Sequence, residues 1–294
     1  MTLEQIRIFL AVCESLNMTR SAERLNLSQP AVSAAIAALE GRYGTKLFDR
    51  VGRRLELSEA GRLFLPEAKA VLARVDEARG VLEDLAGLER GTVRMAASQT
   101  VATYWLPRRM ARFARRAPKI GLHLTVGNTA QAAGQLMQGD ADIAVVEGEV
   151  TEPLLSHRIV GGDRIGLYAG RDHGLVGRDL TADDLRGAIW VMRERGSGTR
   201  DHLAAGLAMH DIAIGALTTP LELSSNGAVL EAIEEGGLIA AVSELAAASR
   251  VEAGRVQPLR WALPPRKFTL LQHRSRRPSR AVLAFTSSLD GQPG

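Results

Sequence analysis

At 294 residues, with 46% apolar side chains and a formal charge of +4, the chain is long enough for two or three cores and too apolar to be disordered. No run of about eighteen apolar residues occurs, so no membrane helix is expected, and the opening Met1-Thr2-Leu3-Glu4-Gln5 lacks the basic and apolar parts of a secretion signal. A single cysteine, Cys13, excludes an internal disulfide and a Cys-rich zinc site, and these absences together lead to the expectation of a cytoplasmic protein.

The positive balance permits nucleic-acid binding without requiring it. It is carried by arginine, with lysine only at Lys46, Lys69, Lys119 and Lys267. Residues 253–289 contain no Asp or Glu, so much of the excess sits near the C-terminal end.

Ile6, Phe9, Leu10 and Cys13 recur at helical spacing and predict the buried face of a first helix. Cys13 fits either a redox sensor or a small buried hydrophobe, the second more simply. After a break near Asn17-Met18, Thr19 is the expected N-cap of a second helix carrying Ala22 and Leu25. That helix ends at Asn26-Leu27-Ser28, and a third starts at Gln29-Pro30, where proline is tolerated in the first turn. Val32, Ile36 and Leu39 face inward, while Pro30, Ser33, Ala34 and Ala37 form a second face with Gln29 at the tip. Small polar side chains there let a helix enter a major groove about 12 Å wide. Two short helices with a tight turn fit a helix-turn-helix, and fit an ordinary three-helix bundle as well.

The next segment favours the first. From Tyr43 to Leu57 the chain reads as two short strands around Gly52-Arg53-Arg54, a wing whose Arg50, Arg53 and Arg54 reach phosphates. The run Leu25-x-x-Ser28-Gln29-Pro30-Ala31-Val32-Ser33-x-x-Ile36-x-x-Leu39-Glu40-x-x-x-Gly44-x-x-Leu47-Phe48-x-Arg50 resembles the DNA-binding signature of LysR-type regulators, as does Leu57-Ser58-x-Ala60-Gly61 beyond it. The resemblance implies that Gln29, Pro30 and Ser33 lie against promoter DNA and that Arg50, Arg53 and Arg54 hold its backbone. Thr19 and Ser28, at the helix starts, complete the expected DNA-binding set. Ala34 and Ala35 stand where the family often has a basic residue after the serine.

Phe64, Ala68, Val71, Val75, Ala78, Leu82 and Leu85 alternate at four and three residues, a heptad seam ending before Gly87 and Gly91. It predicts a linker helix that pairs two subunits, with Pro66 near its start, although an amphipathic helix packed on its own domain has the same stripe. A homodimer or homotetramer reading a palindromic operator follows.

From Thr92 short apolar strands alternate with helices, the pattern of an α/β fold. Strands are expected at residues 92–97, 122–126, 143–146, 154–160, 165–168, 189–192, 238–242, 256–259 and 267–273, with helices at 104–116, 130–137 and 280–289. The fold class is thus α/β, and the resemblance supplies its plan: an N-terminal winged helix-turn-helix, a long dimerising linker helix and a two-lobed periplasmic-binding-protein-like sensor. The expected domains are 1–60, 61–90, a first lobe of 91–161 with 265–294, and a second lobe of 162–264.

Three hydroxyl-bearing turns, Ala97-Ser98-Gln99-Thr100, Gly196-Ser197-Gly198-Thr199-Arg200 and Ser224-Ser225-Asn226-Gly227, lead into helices. Each alone reads as an N-cap, but three at equivalent points of two lobes suggest an anion held at helix N-termini. The resemblance places Ser98, Thr100, Ser197 and Thr199 in the effector cleft. Gln99, Asn128, Glu147, Arg193, Gly198 and Asn226 are further candidates, and Arg200 can add charge. The stretch from Gly127-Asn128-Thr129 to Glu147-Gly148, with Trp190, resembles most the branch regulating sulfur assimilation and carbon fixation.

An enzyme or a transport-type solute-binding protein sharing the lobes is the alternative. The Gly-Ser-Gly-Thr run lacks the Gly-Lys-Ser/Thr ending of a P-loop, and no Gly-x-Ser-x-Gly elbow or His-Glu-x-x-His helix occurs. The six histidines are scattered, so neither catalysis nor a cofactor is expected. Promoter DNA, a small-molecule effector and RNA polymerase are the expected partners, without a membrane.

Overall fold

The computed structural model describes residues 1–52, 54–85 and 91–289. The chain divides into two compact units, Met1–Leu82 with Gln138–Asp140, and Glu83–Met137 with Ala141–Gly294. Arg53 and Gly87 lie outside the described residues, as does the side chain of Leu85.

In the first unit α1 (Leu3–Ser15), α2 (Met18–Leu25) and α3 (Gln29–Tyr43) enclose Ile6, Phe9, Val12, Ala22, Val32, Ile36 and Leu39. The cap of α2 is Asn17, whose side chain accepts from the Arg20 N–H, so Thr19 lies inside the helix rather than at its cap. Asparagine ranks above threonine as a cap, and it stands directly after the left-handed Leu16 that ends α1. Asn26 ends α2 in the same left-handed conformation, and Ser28 caps α3. Strands β1 (Phe48–Val51) and β2 (Arg54–Leu57) pair antiparallel, with Gly52 at φ +64° in the turn.

Helix α4 (Glu59–Leu85) begins earlier than the seam implied, which puts Pro66 in its interior instead of its first turns. The seam also divides. Phe64 stacks on Phe9 with centroids 5.0 Å apart, and Ala68 is fully buried, so both belong to the core of the first unit. Val71 and Leu82 remain 38% and 68% exposed, with Val75 half-buried and Ala78 exposed between them.

The second unit holds two five-stranded sheets. The first has the order β4-β3-β5-β12-β6, from β3 (Gly91–Ser98), β4 (Ile120–Gly127), β5 (Ile143–Glu147), β6 (Leu155–Asp163) and β12 (Arg266–His273). The second runs β11-β7-β10-β8-β9, from β7 (Ile165–Gly170), β8 (Ile189–Arg193), β9 (Thr218–Leu223), β10 (Ile239–Ser243) and β11 (Val256–Leu259). Read from opposite ends the two orders match: β3 and β8 each lie between a parallel edge strand and a parallel inner strand. The chain passes between sheets after β6 and again before β12.

Helices cover both faces of each sheet, which is why β5 reads as the unbroken buried run Ile-Ala-Val-Val-Glu. In the first lobe α5 (Leu106–Arg116) and α11 (Arg280–Ser288) bury Leu106, Phe113 and Phe285 on one face, and α6 (Thr129–Gln138) buries Ala132 and Leu136 on the other. In the second, α7 (Ala182–Gly187) and α8 (Gly198–Ala208) pack around Trp190, opposite α9 (Asn226–Glu234) and α10 (Glu244–Glu252). A π-helical segment, Val101–Trp105, precedes α5. No helix among the described residues is long and apolar enough to cross a membrane.

Candidate DNA-reading head and effector cleft

The exposed side of α3 carries Gln29, Pro30, Ala31, Ala34 and Ala37, with Ser33 half-buried. Gln29 Nε2 donates to Ser33 Oγ at 2.7 Å, one helical turn on, which holds the glutamine along this exposed side. The wing is fixed to this helix by Glu40, whose Oε1 accepts the N–H groups of Leu47 (2.7 Å) and Phe48 (3.2 Å). Ser58 Oγ donates to Lys46 O at 2.7 Å and accepts from the Gly61 N–H at 2.9 Å. A Cβ on Gly61 would stand 2.1 Å from Leu47 O, so only glycine permits this approach. Glu40, Ser58 and Gly61 of the signature thus set the position of the wing relative to α3. Arg50 and Arg54 are exposed on the wing, and Thr19 is exposed on α2. Burial pushes the Cys13 thiol up to about 12, with Glu14 adding, so it stays protonated and unreactive at neutral pH.

In the second unit the candidate effector residues gather at the carboxyl ends of β3, β5 and β8, between the sheets, where open α/β folds bind ligands. Ser98, Thr100, Glu147, Arg193, Ser197, Thr199 and Asn226 are all buried. Ser98 Oγ donates to Glu147 Oε2 and accepts from the Glu147 N–H. Thr100 Oγ1 accepts from Asn226 Nδ2 at 3.1 Å. Asn226 Oδ1 accepts from Arg193 Nη1 at 2.8 Å. Gln99 bridges the lobes as well, accepting the Asn226 N–H (2.6 Å) and donating to Ser224 O (3.3 Å). Gly198 brings α8 against β5, for a Cβ there would stand 2.1 Å from Glu147 O.

Two candidates have structural duties. Asn128 caps α6 reciprocally with Gln131, and its amide reaches Glu194 Oε1 at 3.3 Å. The turn at Ser224-Ser225 is an ordinary cap, with Ser225 Oγ accepting the Ala228 N–H. The two arginines are already neutralised: Arg193 pairs with both carboxylate oxygens of Glu194, and Arg200 with Glu222. Burial works to raise the Glu194 pKa, but its bonds to Arg193 and Asn128 outweigh this and hold it below the ordinary value.

The sequence reading missed Arg266, which is buried at the start of β12. Its guanidinium pairs with Asp163 (2.6 and 2.8 Å), donates to Thr199 Oγ1 at 3.0 Å, and stands 3.6 Å from Glu147. Ser243 Oγ completes the group by donating to Asp163 at 2.6 Å. The available signal was an arginine and an aspartate standing at the two crossings between lobes, Gly161-Gly162-Asp163 and Pro264-Pro265-Arg266. Among the described residues no group of His, Cys, Asp and Glu is arranged to hold a metal ion.

Helix starts differ in a way that bears on ligands. Thr181, Ser225, Ser243 and Ser279 each cap their own helices through the side chain. Ser98, just ahead of the helical run that begins at Gln99, has its hydroxyl taken by Glu147, and Ser197 before α8 makes no capping bond, leaving both helix starts without a side-chain cap.

Residues 3–62 match the bacterial regulatory helix-turn-helix proteins of the lysR family, and residues 86–292 match the LysR substrate binding domain. The uncharacterized HTH-type transcriptional regulator YeiE of Escherichia coli strain K12 is 33% identical, over 98% of this chain and 97% of its own. CbbR of Rhodospirillum rubrum is 33% identical over 86% of this chain and 83% of its own, and CysL of Bacillus subtilis strain 168 is 31% identical over 79% and 77%. Full-length CbnR, solved in complex with its target DNA, shares the fold with a TM-score of 0.72 at 20% identity, covering 98% of this chain and 99% of that one. The regulatory domain of Synechocystis PCC6803 CcmR, solved in complex with 2-PG, does so with a TM-score of 0.63 at 24% identity, over 70% of this chain and all of that one. The chain belongs to the LysR family and is a DNA-binding transcription regulator with an effector-binding domain, not an enzyme.

Proposed function

We propose that the sensor answers to a small oxyanion or short carboxylate held between Ser98 and Thr100 of one lobe and Ser197 and Thr199 of the other. The observation that carries this reading is the pair of helix starts, at Ser98 in one lobe and Ser197 in the other, that lack a side-chain cap and bring buried hydroxyls together around Glu147. Free N–H groups and the positive end of the helix dipole favour an anion without a dedicated cation. That agrees with Arg193 and Arg200 being paired to carboxylates. Solution of the CcmR domain with 2-PG adds that compound to the candidates. A calorimetric screen of sulfate, sulfite, phosphate, small carboxylates and 2-PG tests the reading. Thr100→Ala and Thr199→Ala should weaken the bound anion by roughly ten- to a hundred-fold, about 1.5–3 kcal/mol for a lost bond to a charged group, while promoter binding persists. Binding of apolar ligands alone would remove the anion from consideration.

At the head, Gln29 and Ser33 read base edges, Pro30 packs beside them, and Ser28, Thr19 and the wing arginines hold the backbone. Gln29→Ala should cost roughly 1–3 kcal/mol on the specific site and leave nonspecific binding alone. Arg54→Ala should weaken all sequences similarly and lower the salt slope by about one unit. Equal losses on specific and random DNA for Gln29→Ala would refute its role.

The apolar stripe of Val71, Val75, Ala78 and Leu82 on α4, free of the head's core, fits a second copy of the same helix in a dimer or a dimer of dimers. Effector binding then shifts the population of lobe arrangements, the spacing of paired heads and the bend of promoter DNA, and with them recruitment of RNA polymerase in the cytoplasm.

A further inference from the structure

The Glu147 carboxyl stands at the centre of the cleft and is 2% exposed. Ser98 at the end of β3 donates to it, and the Thr100 hydroxyl just beyond favours its charged form. From α6, Thr129 Oγ1 donates to the Glu147 carbonyl, and α8 abuts the same residue at Gly198. Two charged groups face it: Arg266 on β12, 3.6 Å away, and Asp163 on β6, which holds the same guanidinium. The cluster therefore sets one cation between two carboxyls. An incoming anion would make three negative groups around one positive group where little water screens them. It would also need Ser98 and Thr100, the very hydroxyls that Glu147 now engages.

We propose that Glu147 is an internal counterpart of the effector anion, which enters the cleft together with one proton: Glu147 takes up the proton as it yields Ser98 and Thr100. This rests on the anion reading above. The only covalent change is one proton transfer: an O–H bond of hydronium or of an acidic effector oxygen breaks, leaving water or the more highly charged anion, as an O–H bond forms on Glu147. Burial already pushes this carboxyl up from its ordinary value and Asp163 adds to the rise, while Arg266 and the Thr100 hydrogen bond oppose it. Below that raised pKa the anion meets a neutral acid. Above it the anion must bring a proton, so affinity falls as pH rises.

Sulfate, which stays a dianion throughout, is the probe. Its binding to the full chain would be followed by calorimetry over roughly pH 6 to 9, the span in which buried carboxyls titrate. We expect the affinity to drop by about tenfold per pH unit in the upper range, and the heat to differ between buffers by the ionisation of one proton. Glu147→Gln, neutral and of the same shape, should bind with an affinity independent of pH, at least as tightly as the parent at the alkaline end. Should that variant fail to fold, the buffer-dependent heat of the parent decides by itself. Flat affinity with equal heats, or a slope kept by Glu147→Gln, would overturn the proposal and leave the anion reading standing. No heat from sulfate, sulfite or phosphate at any pH would overturn both.

Discussion

Replacing Arg266 by alanine is expected to destabilise the sensor by about 3–5 kcal/mol, the cost of leaving buried carboxylates without their cation. The side chains of Asp163 and Glu147 are each 2% exposed, so water cannot take over from the guanidinium. Burial already pushes the Glu147 carboxyl up, and the variant would remove the Arg266 cation that opposes this rise. A carboxyl raised in the folded state makes folding take up protons, so the deficit should deepen as pH rises through neutrality and shrink in acid. Urea unfolding followed by tryptophan fluorescence reports on the affected unit directly, because Trp105, Trp190 and Trp261 all lie in the sensor. Arg266→Lys should recover only part of the loss, since an ammonium lacks the fork that meets both oxygens of Asp163 and also reaches Thr199. An unchanged unfolding midpoint for Arg266→Ala at pH 8 would show that the cluster contributes little to holding the lobes.

Arg266 also marks where sequence reading stops. Helices and strands with a periodic buried face were legible, because the period itself is the signal: α3, β5 and α11 stand within a residue or two of their expected places. The DNA-binding signature was legible for a different reason. Glu40, Ser58 and Gly61 act within about twenty residues of their targets, so fixed spacing records their contacts. The partners of Arg266 lie far off in sequence, Asp163 being 103 residues away. No window of the chain contains both, and Pro-Pro-Arg-Lys by itself looks like a solvated basic stretch. Strand β9 went unseen because it is a sheet edge: five of its six residues are exposed, and Pro220 sits inside it, as edge strands tolerate. The seam misled for a related reason. Phe64 and Ala68 satisfy the same heptad as Val71 and Leu82, and periodicity does not say whether a stripe meets its own domain or another chain.

The same single methyl group, added at two glycines, should separate the two halves of the protein's function. In Gly61→Ala the new carbon would stand 2.1 Å from Leu47 O and 2.8 Å from Leu57 Cδ2. Leu47 O is a backbone acceptor held by the Ser58 N–H at 3.0 Å, so it gives way only if the start of the wing moves. Such overpacking typically costs about 1–3 kcal/mol, and here the strain falls on the strand that Glu40 fastens to α3. Promoter affinity should fall at least tenfold while sulfate binding is unchanged. In Gly198→Ala the carbon would stand 2.1 Å from Glu147 O and 2.7 Å from its carbonyl carbon, again backbone that does not yield by rotating a side chain. The start of α8 is forced away from β5, separating Ser197 and Thr199 from Ser98 and Thr100. Anion binding and the effector response should be lost while the head still binds DNA, because it folds in the other unit. Gly134→Ala serves as the control: nothing lies within 4 Å of its added carbon, and alanine inside a helix is favoured over glycine by roughly 0.5–1 kcal/mol. Gel shift on a fragment recovered by sequencing the DNA bound in cells, set beside calorimetry with sulfate, reads all three variants. A Gly198→Ala protein that binds and responds like the parent would mean that the contact between α8 and β5 is not what joins the lobes around the ligand.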